Sequence, residues 1–287
     1  MIALGERLYF ETALSVNNTQ SCNSCHNILD NGSGSSGAGV DNLKTSIGAL
    51  GKPGRRNAPS TWNAGFQFAQ NWDASASTLS EQARNPILDP LEMAMPSEKK
   101  AIKQLKKAGY KIAFKQAFPE ESRPLNFTNI TKALAAFQRT LITQDRFDLF
   151  MAGDNTALNE QEKRGLETIF NTGCTACHTG PLMGGKLIIK MGLVKPYPNT
   201  EDKGRSEITG REQDEFLFKA PILRNIAQTA PFFHDGATAD LEQAVFKTGW
   251  HQIGIELDSQ QVMDISAFLR SLNNTRPFKR KHSGIEN

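Results

Sequence analysis

The sequence predicts a mainly α-helical chain that forms two similar domains. A length of 287 residues favours about two domains, and a content of 38% apolar residues is enough to build a core in each. Within 128–142, the apolar residues Ile130, Leu134, Phe137 and Leu141 recur at helical spacing. Both halves of the chain also have the same order of features, namely a helix, a Cys-x-x-Cys-His motif, a glycine-rich loop and later helices.

Polar capping patterns predict where several helices begin. The segments 78–81, 159–162 and 258–261 each pair a polar N-cap residue with Glu or Gln three residues later, which is typical of a capping box. Further helices are expected at 4–10 and at 97–108. The second of these is rich in lysine, which indicates a solvated face or, alternatively, a docking surface for an acidic partner.

Composition excludes two classes of protein. The net charge of +3 is too small to indicate nucleic-acid binding, so no nucleic-acid partner is expected. No apolar run approaches the roughly 18–20 residues that a membrane-spanning helix needs. We therefore expect no membrane span.

All four cysteines lie in two Cys-x-x-Cys-His motifs, at 22–26 and 174–178. Two disulfides or one four-cysteine zinc site would also use every cysteine, although a zinc ribbon separates its pairs by only about 15–20 residues. The histidine after each pair favours covalent haem c, in which two thiols add to the vinyl groups of one haem and the histidine ligates its iron. The predicted residues are Cys22, Cys25, His26, Cys174, Cys177 and His178.

Haem attachment also predicts location and domain organisation. Haem c is attached outside the cytoplasm, so we expect a periplasmic protein whose export signal, absent from residues 1–7, has been removed. Each domain is expected to resemble a class I cytochrome c domain wrapped around its haem. The predicted boundaries are 1–152 and 153–275, with a flexible loop at 33–39 and a mobile tail at 276–287.

Further motifs accompany the haem motifs along nearly the whole chain. They lie at 4–10, 56–59, 72–73, 79–82, 91–93, 202–205, 218–221, 223–225 and 229–236. Their order and separation resemble those of the bacterial di-haem cytochrome c peroxidase family, which also includes the di-haem enzyme that matures tryptophan tryptophylquinone. The resemblance implies an enzyme that reduces hydrogen peroxide to water with electrons from a small cytochrome c or cupredoxin.

The resemblance also implies roles for single residues. The first haem would react with peroxide and the second would receive electrons. Glu92 and Gln82 match the acid/base pair above the first haem, and Trp72 matches the tryptophan between the haems, which can relay electrons. The alternatives are that Glu92 and Gln82 are ordinary surface residues and that Trp72 packs in the core.

A calcium ion and a dimer are implied in the same way. Asn57, Thr229 and Pro231 match residues around a calcium site, several of whose ligands are backbone carbonyls. Because side-chain identity says little about carbonyl ligands, the calcium prediction rests on the resemblance alone. Relatives are often dimers, so a homodimer is a further expectation.

The first departure from the family concerns the loop after the first haem motif. Many members carry a histidine there that caps the peroxide-reactive iron at rest, whereas this chain has Ala49 and Leu50. No other histidine lies between His26 and His178. We therefore expect a first iron that is five-coordinate or water-bound and active without prior reduction.

The second departure concerns the sixth ligand of the second haem. At the usual methionine position stands Thr248, a poor haem ligand, and His251 is the best substitute, with a surface or packed histidine as the alternative. Met263 is expected in the core. A histidine ligand would lower the potential of that haem relative to methionine.

Two other functions compete with peroxide reduction. A low-potential second haem suits the storage of oxidising equivalents, so the protein could instead use peroxide to oxidise side chains of a partner protein. A pure electron-transfer cytochrome is the third hypothesis. The acid/base pair and the open first haem argue against it.

Overall fold

The structure of the chain is a computed structural model that describes residues 1–29 and 37–281. It confirms the mainly α-helical prediction. The helices are α1 Ile2–Tyr9, α2 Cys22–Cys25, α3 Leu79–Gln82, α4 Arg84–Leu88, α5 Glu98–Lys107, α6 Lys111–Ala117, α7 Phe127–Gln138, α8 Arg146–Met151, α9 Glu160–Asn171, α10 Ser206–Thr209, α11 Leu241–Thr248 and α12 Ser259–Ser271. The strands β1 Ile188–Lys190 and β2 Leu217–Lys219 form an antiparallel pair that the sequence did not predict.

The predicted helix starts are present. Reciprocal capping boxes form at 159–162 and 258–261, where each side chain accepts the other residue's backbone N–H. At the third predicted box, Thr78 accepts the N–H of Glu81, but the Glu81 carboxylate accepts from Ser77 instead. The caps were predictable because each depends only on residues within one helical turn.

The described chain divides into two compact units. The first comprises residues 1–66, 76–142 and 277–281, and the second comprises 67–75 and 143–276. The boundary thus falls ten residues before the predicted one, and 67–75 belongs to the second unit. One reason is the hydrogen bond from the Lys219 N–H on β2 to the Trp72 carbonyl, at 2.7 Å.

The beginning of the predicted mobile tail packs on the first unit. The ring of Phe278 lies 6.1 Å from that of Phe10 and 5.7 Å from that of Phe137. The Lys281 N–H donates to the Glu6 carboxylate at 2.6 Å. The remainder of the tail, like residues 33–36 of the predicted flexible loop, lies outside the described residues.

A close helix crossing organises the first unit. Helix α1 packs across α7 at Gly5, where a Cβ atom would lie 1.9 Å from the Ala133 carbonyl oxygen. Only glycine permits this approach. Around the crossing, Leu4, Leu8 and Phe137 are buried in one apolar core.

The second unit repeats this crossing with different helices. Helix α9 packs across α12 at Gly165, where a Cβ atom would lie 1.9 Å from the Asp264 carbonyl oxygen. Ile169, Ile265 and Phe268 are buried beside it. In the described part of the chain, none of these helices has the length and apolar character needed to cross a bilayer.

Candidate functional site

The two Cys-x-x-Cys-His motifs occupy short helical turns in different units. Cys22 and Cys25 lie in α2, and Cys174 begins a 3-10 turn that ends at Ala176. All four cysteines are free thiols, which does not support the disulfide alternative. Among the described residues, no group of three or more His, Cys, Asp or Glu side chains could hold a metal ion, so a zinc cluster is not supported either.

The two motif histidines are held in the same way. Nδ1 of His26 donates to the Gly39 carbonyl at 3.3 Å, and Nδ1 of His178 donates to the Met183 carbonyl at 3.1 Å. This arrangement, common in metal-ligating histidines, leaves Nε2 for the metal. Burial lowers the pKa of both imidazoles, which favours the neutral form that binds metals.

A buried tyrosine fixes the first motif to its wrapping loop. The Tyr9 hydroxyl donates to the His26 carbonyl at 2.6 Å and lies 3.0 Å from Oγ1 of Thr61. Nearby, the Trp62 indole donates to the Gly37 carbonyl at 2.8 Å. These hydrogen bonds hold the later part of the loop close to the motif. A loop that encloses a large ligand needs this arrangement.

Glu92 lies close to the first motif. Burial raises the pKa of Cys22 to about 12 and that of Cys25 to about 11, and the Glu92 carboxylate adds to both shifts. Desolvation, with a contribution from Asp89, raises the pKa of Glu92 itself to about 7. Glu92 is nevertheless accessible to solvent.

The loop that lacks the capping histidine is attached to the Glu92 turn. The Ala49 N–H donates to the Glu92 carbonyl at 2.6 Å, and Asn17 Nδ2 donates to the Ala49 carbonyl at 2.7 Å. A Cβ atom on Gly48 would lie 2.0 Å from the Leu91 carbonyl oxygen. The methyl group of Ala49 is buried, whereas Leu50 is exposed.

Gln82 lies ten residues before Glu92 in the chain. It ends α3 and is half-buried. The Glu92 turn is bonded to α4, which begins two residues after Gln82, through Met93 N–H to the Pro86 carbonyl at 3.0 Å. No hydrogen bond joins Gln82 and Glu92 among the residues described.

Trp72 belongs to an aromatic cluster in the second unit. Its ring meets the buried His234 ring edge-on at 6.5 Å, and Phe218 stacks on His234 at 4.1 Å. The Tyr197 ring also lies near His234, at 5.7 Å and tilted by 57°. The motif at 229–236 drew attention to His234, but nothing in the sequence placed Tyr197 here.

His251 is buried in the second unit and is held like the motif histidines. Its Nδ1 donates to the Lys195 carbonyl at 3.1 Å, and its ring lies 5.3 Å from that of Tyr197. The Thr248 hydroxyl donates to the Ala244 carbonyl at 2.8 Å and is therefore directed toward its own helix. The core prediction for Met263 is wrong, since this side chain is 46% exposed.

The predicted calcium residues are distributed over both units. Asn57 is buried in the first unit, and its Nδ2 donates to the Leu43 carbonyl at 3.0 Å. In the second unit, the Thr229 hydroxyl donates to the Ile226 carbonyl at 2.9 Å, and Pro231 follows a cis peptide bond. Calcium binding stays a prediction.

Comparison with known proteins identifies similar chains. A model of the di-haem cytochrome c peroxidase family matches residues 1–156. The cytochrome c551 peroxidase of Pseudomonas aeruginosa is 41% identical over 282 residues, covering 96% of this chain and 79% of that protein. The methylamine utilization protein MauG of Methylorubrum extorquens is 31% identical over 284 residues, covering 94% and 77%. The crystal structure of a MauG-like protein associated with microbial copper homeostasis matches with a TM-score of 0.83 at 30% identity, covering 96% and 89%.

Proposed function

Because this chain belongs to the di-haem cytochrome c peroxidase family, we propose that it reduces hydrogen peroxide to water with electrons from a small periplasmic donor, a cytochrome c or a cupredoxin. Each turnover consumes one peroxide, two electrons and two protons and releases two water molecules. The observation that supports this most directly is the carboxyl group of Glu92, with its pKa raised to about 7, beside the first haem motif.

The four cysteines and two histidines fit two covalent haem c groups, one in each unit. Cys22 and Cys25 would form the thioether bonds of the first haem and Cys174 and Cys177 those of the second, which gives each unit the character of a class I cytochrome c domain. His26 and His178 would ligate the irons through Nε2, because Nδ1 of each is held by a backbone carbonyl. When bound, the haem irons supply the electrons and the position at which peroxide is reduced.

Glu92 transfers a proton between the two oxygens of peroxide, and Gln82 orients the peroxide. The Glu92 carboxylate takes the proton from one peroxide oxygen and returns it to the other, which then leaves as water. A pKa of about 7 suits both steps near neutral pH, because neither form of the carboxyl group is scarce. The Gln82 amide orients the peroxide by hydrogen bonding.

An iron bound at the first motif would be accessible to peroxide at rest. Ala49 replaces the capping histidine, and its backbone is bonded to that of Glu92, so the loop holds the acid/base turn in place. The oxidised protein therefore reacts with peroxide without prior reduction.

His251 would be a second protein ligand of the iron of the second haem. The hydrogen bond from Nδ1 to the Lys195 carbonyl orients the ring and leaves Nε2 for iron, as in the two motif histidines. Two histidine ligands would give this haem a lower potential than a histidine–methionine pair.

The remaining parts of the proposal follow from the family. Trp72 relays electrons between the haems, the protein binds a calcium ion, and the exported protein acts in the periplasm as a homodimer. Elemental analysis of the purified protein before and after chelation tests the calcium ion.

Peroxide turnover by an E92Q variant tests the proposed function. With reduced cytochrome c as donor, we expect activity to fall about 100- to 10,000-fold, because the amide cannot accept the proton. E81Q is the matched control, since Glu81 is an exposed carboxylate on α3 and its loss should leave turnover unchanged. Full activity in E92Q would contradict the proposal.

Oxidation of partner-protein side chains is the second candidate function. This function is favoured because Thr248 stands at the usual methionine position. Its hydroxyl is bonded within α11. Steady peroxide turnover with reduced cytochrome c supports the first function. Slow turnover with a long-lived oxidised intermediate supports the second.

A further inference from the structure

Lys219 carries a buried positive charge in the second unit. It is the last residue of β2 and is only 8% exposed. Its ammonium group donates to the side-chain oxygen of Gln67, a neutral acceptor. Within the described part of the chain, no carboxylate forms an ion pair with it. Burial of an ammonium group away from any carboxylate is unfavourable, so these surroundings favour the binding of an anion.

The position of Lys219 connects it to the second haem motif. The next residue, Ala220, exchanges backbone hydrogen bonds with Leu187 and Gly185, each at 2.9 Å. The side chain of Gln67 also lies against Gly185, where a Cβ atom would be 3.2 Å from Cγ of Gln67. The neighbouring Met183 carbonyl is the group that holds His178. The buried ammonium therefore belongs to the segment that supports this histidine.

The two halves of the chain differ at this position. The first has Asn57-Ala58-Pro59 and the second has Lys219-Ala220-Pro221. The proline carbonyl of each segment faces the motif histidine of its own unit. The polar residue two positions earlier is neutral in the first half, where Asn57 bonds to backbone carbonyls. At this position, two residues before the proline, only the second half carries a positive charge.

We propose that Lys219 binds a propionate carboxylate of the haem attached at Cys174 and Cys177. A haem propionate supplies the anion that the protein does not, in a place that water reaches poorly. Desolvation lowers the pKa of Lys219 to about 8, so the ammonium form still predominates at neutral pH. This inference rests on the proposed attachment of the second haem.

Redox titration of the holoprotein tests the assignment. A cation beside a propionate favours the reduced iron, so K219Q should lower the midpoint potential of the second haem and leave that of the first unchanged. K219R should keep the second potential near that of the wild type. K190Q is the matched control, because it removes the same charge from an exposed position on β1 and should shift neither haem.

Two results would overturn the assignment. One is an unchanged second potential in K219Q with both haems attached, and the other is a shift confined to the first haem. If K219Q does not fold, resonance Raman spectra of K219R decide, because a guanidinium in place of the ammonium should shift the propionate bending band of the second haem and an identical band would overturn the pairing. A protein without a second haem by mass would instead refute the proposed function.

Discussion

At the scale of single residues, the proposed chemistry depends on the ionisation of Glu92. Its pKa is raised to about 7, first by desolvation and then by the charge of Asp89. Only the carboxylate accepts a proton, so we expect peroxide turnover to rise with pH to a plateau, with a midpoint near 7. The rate profile from about pH 5 to 9 measures this, and an E92Q variant with the same midpoint would contradict the assignment.

His251 gives a second prediction at this scale. If His251 ligates the second haem, H251A should convert that haem from low spin to high spin, which the absorption spectrum of the oxidised protein reports. M263A is the control, because Met263 is exposed on α12 and should leave the spectrum unchanged. A low-spin second haem in H251A would remove His251 from the ligand set.

Sequence analysis located the residues whose function depends on their neighbours along the chain. Cys22, Cys25 and His26 are adjacent in the chain, so their spacing alone indicates a haem motif. The contact between Tyr197 and His251 joins residues 54 positions apart, and only the fold brings them together. The buried charge of Lys219 was missed for the same reason, because burial is a property of packing.

At the scale of elements, the two helix crossings are the features most sensitive to substitution. G5A would drive a methyl group into the Ala133 carbonyl and G165A into that of Asp264. Each should lower the free energy of unfolding by about 1–3 kcal/mol or more, because the helices have to separate. Denaturant unfolding followed by circular dichroism measures this.

A matched glycine separates crowding from general glycine effects. A Cβ atom on Gly54 would meet only the Ser46 carbonyl, at 3.5 Å, which is an ordinary contact. G54A should therefore leave stability nearly unchanged. Equal losses in G54A and G5A would show that the crossing is not the cause.

Helix positions were predicted more reliably than helix faces. The periodicity of Val262, Ile265, Phe268 and Leu269 correctly identified the buried side of α12. Met263 is one residue from Val262, which turns it about 100° away and leaves it exposed. Apolar character alone did not place this side chain.

For the molecule as a whole, the sequence showed two similar halves. It did not show which residues belong to each compact unit. Both halves contain a glycine at the crossing of two helices, Gly5 in one and Gly165 in the other. The Lys219–Trp72 backbone hydrogen bond, which joins distant parts of the chain, is one of the contacts that attach 67–75 to the second unit. Long-range pairing of this kind has no local signal.

The absence of a capping histidine also leads to a prediction for the intact enzyme. Because Ala49 offers no ligand, fully oxidised protein should begin to turn over as soon as peroxide and donor are added. Stopped-flow kinetics on oxidised and pre-reduced samples compare the two starting states. A lag that only pre-reduction removes would show that another group closes the first iron.

The electron paramagnetic resonance spectrum of the fully oxidised protein decides whether the chain holds two haems of which one is open. We expect a high-spin ferric signal from the haem at Cys22 and Cys25 together with a low-spin signal from the haem at Cys174 and Cys177. Two low-spin signals with no high-spin component would contradict an open first haem and the peroxidase mechanism built on it.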